Sequence, residues 1–246
     1  MPLRENMESS GAWLFRWRSF LPLLLIAPIL FAFKDYQYPY QSHRADQIWE
    51  MVCLSIALLG LGIRFITVGS IPKGTSGRNT KRIKGGSLNT TGVYSIVRHP
   101  LYLGNFIITI GIALFFRTLW LTSLSVLIFW LYYERIIFAE EEFLRTKFGE
   151  NYFEWANKTP TFLPKFQNWI PPALPFSFRT ALRKEYRTFM GIVAVFTFLE
   201  TLGNFFLYGT FICDWLWVVF FSFGASTFFV VRTLDTKSNL LKIEGR

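Results

Sequence analysis

Charge is scarce in this chain. Asp, Glu, Lys and Arg make up 17% of its 246 residues, against a hydrophobic share of 52%, whereas a soluble domain carries about a quarter. Cysteine is nearly missing: Cys53 and Cys213 each lie inside an apolar run, which excludes a disulfide framework. The two histidines, His43 and His99, are far apart in sequence. No Cys/His cluster has metal-ligand spacing, so no metal is expected. No Gly-rich turn follows a plausible strand, which excludes a dinucleotide-type loop for a nucleotide ligand. Gly60-Leu61-Gly62 lies within an apolar run, where close helix packing is the expected use of glycine.

What the chain has instead is apolar length. Runs near 20–33, 48–71, 101–116, 118–138, 189–211 and 215–231 are nearly free of charge, and about 20 apolar residues cross a bilayer. The runs at 20–33 and 101–116 are short. Trp13, Leu14, Phe15 and Trp17 extend the first at the interface, and the other needs its flanks. Arg16 and Arg18 precede the first run as they would in a signal peptide, but no small-residue cleavage site follows before Lys34, so a retained helix is expected. The predicted fold is all-α: a polytopic transmembrane helix bundle of about six spans, divided into 1–49, 50–165 and 166–246.

The basic residues give the orientation. With six spans and a cytoplasmic N-terminus, 21 of the 26 Lys and Arg residues fall on one side, and Lys34, Arg44 and Arg117 on the other. Basic loops favour the cytoplasm, so both termini are expected there, in a bacterial inner membrane. The same asymmetry explains the net charge of +10 through anionic lipid partners rather than nucleic acid, for which no binding module is present. Glu200 sits within the fifth run, where a carboxylate needs a partner or a role. Asn204 and Thr197 share its helix face, and an interhelical contact with Arg64 is expected.

Two cytoplasmic segments carry the candidate chemistry. Residues 71–100 are rich in Gly, Ser, Thr and Asn and hold six basic residues and no acidic one, which predicts a loop. The second begins at Glu140-Glu141-Glu142. Glu140, Glu141, Leu144 and Phe148 keep helical spacing, so the fourth helix is expected to continue past the membrane and end at Gly149. A Pro-rich stretch from Pro160 to Pro175 is expected to run along the surface.

The run Gly92-Val93-Tyr94-Ser95-Ile96-Val97-Arg98-His99-Pro100-Leu101-Tyr102-Leu103-Gly104 contains RHPxYxG. Glu140-Glu141 with Leu144, Phe148-Gly149 with Tyr152 and Trp155, and Pro160, Phe162 and Pro164 follow in order. Together they resemble the signature of the isoprenylcysteine carboxyl methyltransferase and phospholipid methyltransferase superfamily, over about residues 50–165. Val93 replaces a frequent proline, Trp155 a usual tyrosine, and the two C-terminal spans lie outside the common core. The resemblance implies a cytoplasmic S-adenosylmethionine site in which the Arg98-His99-Pro100 loop and the Glu140-Glu141 helix close over the cofactor. It assigns Arg98 and Glu141 as catalytic, and Tyr94, Arg98, His99, Pro100, Tyr102, Gly104, Glu140, Glu141, Tyr152 and Trp155 as cofactor-binding. The chemistry suits these residue types. Arg98 grips a carboxylate, the glutamates accept from an ammonium or ribose hydroxyls, and the aromatics flank adenine or face the sulfonium. Each also has a plainer use: Arg98 as an interfacial anchor, the glutamates as a solvated helix end, the aromatics as an interface belt, and His99 as a structural histidine.

The acceptor is expected to be a lipid in the bilayer. An oxyanion needs no general base, and Arg78, Lys81 and Arg82 suit a phosphate or carboxylate headgroup. The basic loops and added spans are similar to what a lipid A phosphate methyltransferase would need. An isoprenylcysteine carboxylate comes second and a phospholipid amine third. A nicotinamide-dependent membrane reductase of related architecture is the alternative of another class.

Overall fold

The computed structural model describes residues 2–72, 75, 86–243 and 245. Arg78, Lys81 and Arg82, assigned above to the acceptor, lie outside the described residues. Nine α-helices are present among the described residues: α1 Leu3–Trp17, α2 Ile26–Ala32, α3 His43–Gly69, α4 Val93–Ile96, α5 Pro100–Leu114, α6 Leu119–Phe148, α7 Glu150–Lys158, α8 Phe178–Tyr208 and α9 Trp215–Lys237. No strand occurs among them, and one isolated antiparallel bridge joins Gly92 to Ile170.

Four helices, α3, α6, α8 and α9, are long and apolar enough to cross a membrane, and the fold is an all-α polytopic bundle. The other two expected spans are shorter. The apolar stretch Leu23–Ala32 and the 15-residue α5 reach about 15 and 22 Å at the α-helical rise, less than a hydrocarbon core of about 30 Å. Proline limits both. Pro22 lies in the 3₁₀ segment Arg18–Leu25 that precedes α2, and Pro100 sets the first turn of α5, where its missing N–H costs nothing. The tryptophans at 13 and 17 belong to α1, which leads directly into the 3₁₀ segment, with the Trp17 ring 5.3 Å from that of Phe20, and packs along α6. Gly11 makes that approach possible, since a Cβ there would lie 2.1 Å from the Arg135 carbonyl oxygen.

Helix ends follow local rules. Ser42 and Ser177 cap α3 and α8 by accepting from the amides of Ala45 at 3.3 Å and Thr180 at 3.2 Å. Gly149, at φ +52°, ends α6 as the spacing predicts and starts α7, a backbone that glycine adopts without a Cβ penalty. The central seam is α3 against α5, held at backbone contact by small residues. A Cβ on Gly60 would come 2.6 Å from the Gly104 oxygen, and one on Gly111 would come 2.7 Å from the Cys53 oxygen. Gly60 thus has the packing use expected of it, whereas Gly62 faces open space.

Helix direction decides the buried charges. α3 and α8 pack antiparallel, so the C-terminal half of α3 meets the N-terminal half of α8. Arg64 therefore pairs with Glu185 rather than Glu200: Nε and Nη2 donate to its two carboxylate oxygens at 2.9 and 2.8 Å, and Nη1 donates to Asn105 Oδ1 at 2.7 Å. Glu200 instead accepts from Asn204 Nδ2 at 2.9 Å, one turn along its own helix, and its hydrophobic surroundings include Phe196 stacked on Trp217. One end of the bundle gathers the Arg98 loop, α7, the start of α8 and the C-terminal tail, where Leu241 packs on Tyr186. The opposite end gathers Asp46, Arg117, Tyr208 and Asp214.

Candidate active site

The two motif halves, more than forty residues apart, meet at the first of these ends. Backbone pairing builds the frame. The Arg98 amide donates to the Pro160 oxygen, the Lys165 amide to the Ile96 oxygen and the Gly92 amide to the Ile170 oxygen, each at 2.9 Å. The Pro-rich stretch runs along the surface as expected and is pinned there as one wall of the site. Its prolines cannot donate, so the interspersed Lys165 and the carbonyls of Pro160 and Ile170 carry the pairing. Ser95 locks the junction, donating to the Gly92 oxygen at 2.7 Å and accepting from the Ile170 amide at 2.9 Å.

Inside that frame the Arg98 guanidinium donates to Glu141 Oε2 at 3.3 Å, to the Tyr152 hydroxyl at 3.5 Å and to the Thr161 hydroxyl. His99 is buried, bonds Glu141 Oε1 through Nε2 at 2.9 Å and lies 3.8 Å from Glu140 Oε2 through Nδ1. Its ring stacks on Tyr102 with centroids 5.6 Å apart. Trp155 Nε1 donates to the Tyr94 carbonyl at 2.9 Å, which ties α7 to α4. Burial pushes the Tyr94 and Tyr152 phenols well above the usual range, and the neighbouring Glu140 and Glu141, respectively, push them in the same direction. Both therefore remain neutral hydroxyls at physiological pH.

Tyr94, Arg98, His99, Pro100, Tyr102, Glu140, Glu141, Tyr152 and Trp155 are thus brought into one neighbourhood. Gly104 is set apart from it. It lies on the α3–α5 seam, where its Cβ would meet Arg64 Cγ at 2.5 Å and the Gly60 oxygen at 2.8 Å. Ser95 and Thr161 join the cluster from inside the motif elements, and small hydroxyls beside a motif arginine are the sequence signal for them. Beside Tyr94, a cavity of about 280 Å³ opens between the end of α3 and the Pro-rich wall, lined by Ile66, Val93, Trp169 and Phe176.

Two polar atoms in the cluster are left over. Arg98 Nε and Glu140 Oε2 are buried and have no hydrogen-bond partner. Such atoms are costly in a folded protein. One is a donor on a cation and the other an acceptor on a carboxylate, which is the complement of a ligand carrying both a carboxylate and an ammonium.

The family model described as phospholipid methyltransferase matches residues 50–151. The nickel-cobalt-cadmium resistance protein NccN of Alcaligenes xylosoxydans xylosoxydans is 32% identical over 117 residues, 48% of this chain and 54% of that protein. The protein-S-isoprenylcysteine O-methyltransferase of Schizosaccharomyces pombe is 35% identical over 85 residues, 35% of this chain and 36% of its own. That of Xenopus laevis is 45% identical over 80 residues, covering 32% and 27%. The chain spans about half the length of the first of these relatives and about a third of the methyltransferases. No solved structure matches it. The similarity is confined to the core segment, which matches the phospholipid methyltransferase family model and is similar to the isoprenylcysteine O-methyltransferases.

Proposed function

We propose that this protein is a membrane-embedded methyltransferase that uses S-adenosylmethionine to methylate a lipid-borne oxyanion. The observation that carries the reading is the pair of orphaned atoms, Arg98 Nε and Glu140 Oε2, in a cluster assembled from both motif halves. S-adenosylmethionine supplies a sulfonium-activated methyl group and, at its amino-acid end, the carboxylate and ammonium that this pair complements. Arg98 binds the carboxylate and Glu140 the ammonium. Glu141 positions both Arg98 and His99, and Tyr152 and Thr161 hold the guanidinium in place. Trp155 and Tyr94 close the aromatic side. Catalysis then rests on proximity, alignment and exclusion of water. No proton has to leave an acceptor that is already an oxyanion.

Two oxyanions compete. The relatives named as isoprenylcysteine O-methyltransferases support a carboxylate on a prenylated cysteine. A lipid phosphate such as that of lipid A rests on the cations of the 72–99 loop, above all Arg78, Lys81 and Arg82. The basic end of the bundle would meet anionic lipids and face the cytoplasm, where the methyl donor is made.

The deciding experiment supplies labelled methyl donor with, in parallel, a farnesylcysteine analogue and a total bacterial lipid extract, and identifies the product by mass spectrometry. Labelled farnesylcysteine methyl ester selects the carboxylate, and a labelled phospholipid or lipid A selects the phosphate. A rate that rises with pH under chemistry-limited conditions would move the assignment to an amine acceptor. Absence of transfer to any lipid, together with absence of binding of the demethylated cofactor product, would overturn the reading.

A further inference from the structure

The opposite end of the bundle holds a second polar cluster that methyl transfer does not use. Asp46 and Glu50 lie on the first two turns of α3 and Glu200 lies on α8, and all three are 1% exposed or less. Glu50 and Glu200 are each held by one oxygen, and Asp46 also has the Tyr36 hydroxyl 3.5 Å from both of its oxygens. Trp217 Nε1 donates to Glu50 Oε2 at 2.9 Å, Asn204 Nδ2 to Glu200 Oε1 at 2.9 Å, and Arg117 Nη1 to Asp46 Oδ1. The other oxygens of the two glutamates, Glu50 Oε1 and Glu200 Oε2, are buried with no hydrogen-bond partner. One oxygen from each of the three residues falls within 4.8 Å of the others. Glu200 also belongs to a second group of this kind with His43 and Asp214, in which His43 Nε2 lies 2.8 Å from Asp214 Oδ2.

Charge and geometry argue together. Among the described residues Arg117 is paired with Asp46, and no salt bridge reaches Glu50 or Glu200. Carboxylates this deep in a bundle take up either a proton or a counter-charge. Oxygens on opposite sides of a Ca²⁺-sized ion stand about 4.6–5.2 Å apart, given ligand distances of 2.3–2.6 Å, which the spacing here accommodates. An all-carboxylate set suits a hard cation such as Ca²⁺ or Mn²⁺. We propose that Asp46, Glu50 and Glu200 form a site for a hard divalent cation that ties α3 to α8 at the end of the bundle remote from the methyl-transfer site.

The test uses the full chain in detergent, stripped with EDTA and then titrated with Ca²⁺, Mn²⁺ or Mg²⁺ while its melting temperature is followed. Metal retained after dialysis is counted by elemental mass spectrometry. At least one of these ions should raise the melting temperature saturably, reversibly by EDTA, with one equivalent retained per chain. Glu50→Gln and Glu200→Gln should each weaken the apparent affinity roughly ten- to a hundredfold, the usual range for losing a charged partner. In EDTA the same variants should melt no lower than wild type, because one buried negative charge has gone. That sign separates loss of a ligand from loss of folding. The exposed Glu8→Gln should behave as wild type throughout. A melting temperature indifferent to every cation, with no metal retained, would mean that the carboxylates share protons and would overturn the proposal. So would a cation effect in both Gln variants as large as that in wild type.

Discussion

Glu141 joins Arg98 and His99 in the candidate active site. Its two oxygens accept from His99 at 2.9 Å and from Arg98 at 3.3 Å, and the Arg98 and Glu141 side chains are 16% and 23% exposed. Glu141→Gln keeps the shape and removes the charge. The Arg98 guanidinium then faces the site with its main counter-ion gone, and the fixed orientation of Nε is lost. Loss of one charge-assisted hydrogen bond in a partly desolvated setting costs about 1.5–3 kcal/mol, equivalent to a roughly ten- to hundredfold loss in affinity for S-adenosylhomocysteine. Arg98→Ala should lose at least as much, because it removes the carboxylate-binding group itself. The two effects should be less than additive in the double variant, since both act through one contact. Calorimetric titration of the detergent-solubilised protein reads all three, with circular dichroism to verify that the helices persist. Affinities within twofold of wild type for both single variants would refute the assignment of this cluster to the cofactor.

Four further outcomes are expected. Gly104→Ala and Gly111→Ala should each lower stability by about 1–3 kcal/mol, because the added methyl meets backbone or Arg64 at under 3 Å, and a thermal melt reads the loss. Glu185→Ala should cost about 3–5 kcal/mol by stranding the buried Arg64 charge, with Glu185→Gln intermediate; equal melting temperatures for the three proteins would contradict the pairing. Trp155→Phe should loosen α7 from α4 by about 0.5–1.5 kcal/mol through loss of the bond to the Tyr94 carbonyl and accelerate amide exchange in α7. The raised phenols of Tyr94 and Tyr152 give the pH dependence its sign. Their contribution is complete below about pH 10, the ordinary tyrosine value, and falls as pH rises beyond it. Tyr152→Phe should therefore flatten the alkaline arm of a stability profile, on top of a pH-independent loss from its bond to Arg98.

Hydropathy, charge asymmetry and motif order are properties of short windows, so the sequence alone determined that the chain is a helical membrane protein, that α6 runs on to Gly149, and that Arg98 and Glu141 belong to one recurring motif pair. The run at 20–33 folds as a 3₁₀ segment that contains Pro22, followed by the two-turn α2 with Pro28 in its first turn, and Gly11 lets the helix that carries Trp13 and Trp17 dock on α6. Partner choice among distant residues was decided by tertiary structure alone. Arg64 has Glu185 and not Glu200 because antiparallel packing matches the late turns of α3 to the early turns of α8. The same geometry puts Glu50 beside Glu200, 150 positions away in sequence. Likewise, the prolines of 160–175 mark a non-helical segment, but which carbonyls it offers to Arg98 and Gly92 depends on where the loop returns. A carboxylate's sequence neighbours show that it is buried. Which charge it faces depends on the rotation and direction of the helix opposite, and only the folded chain determines these.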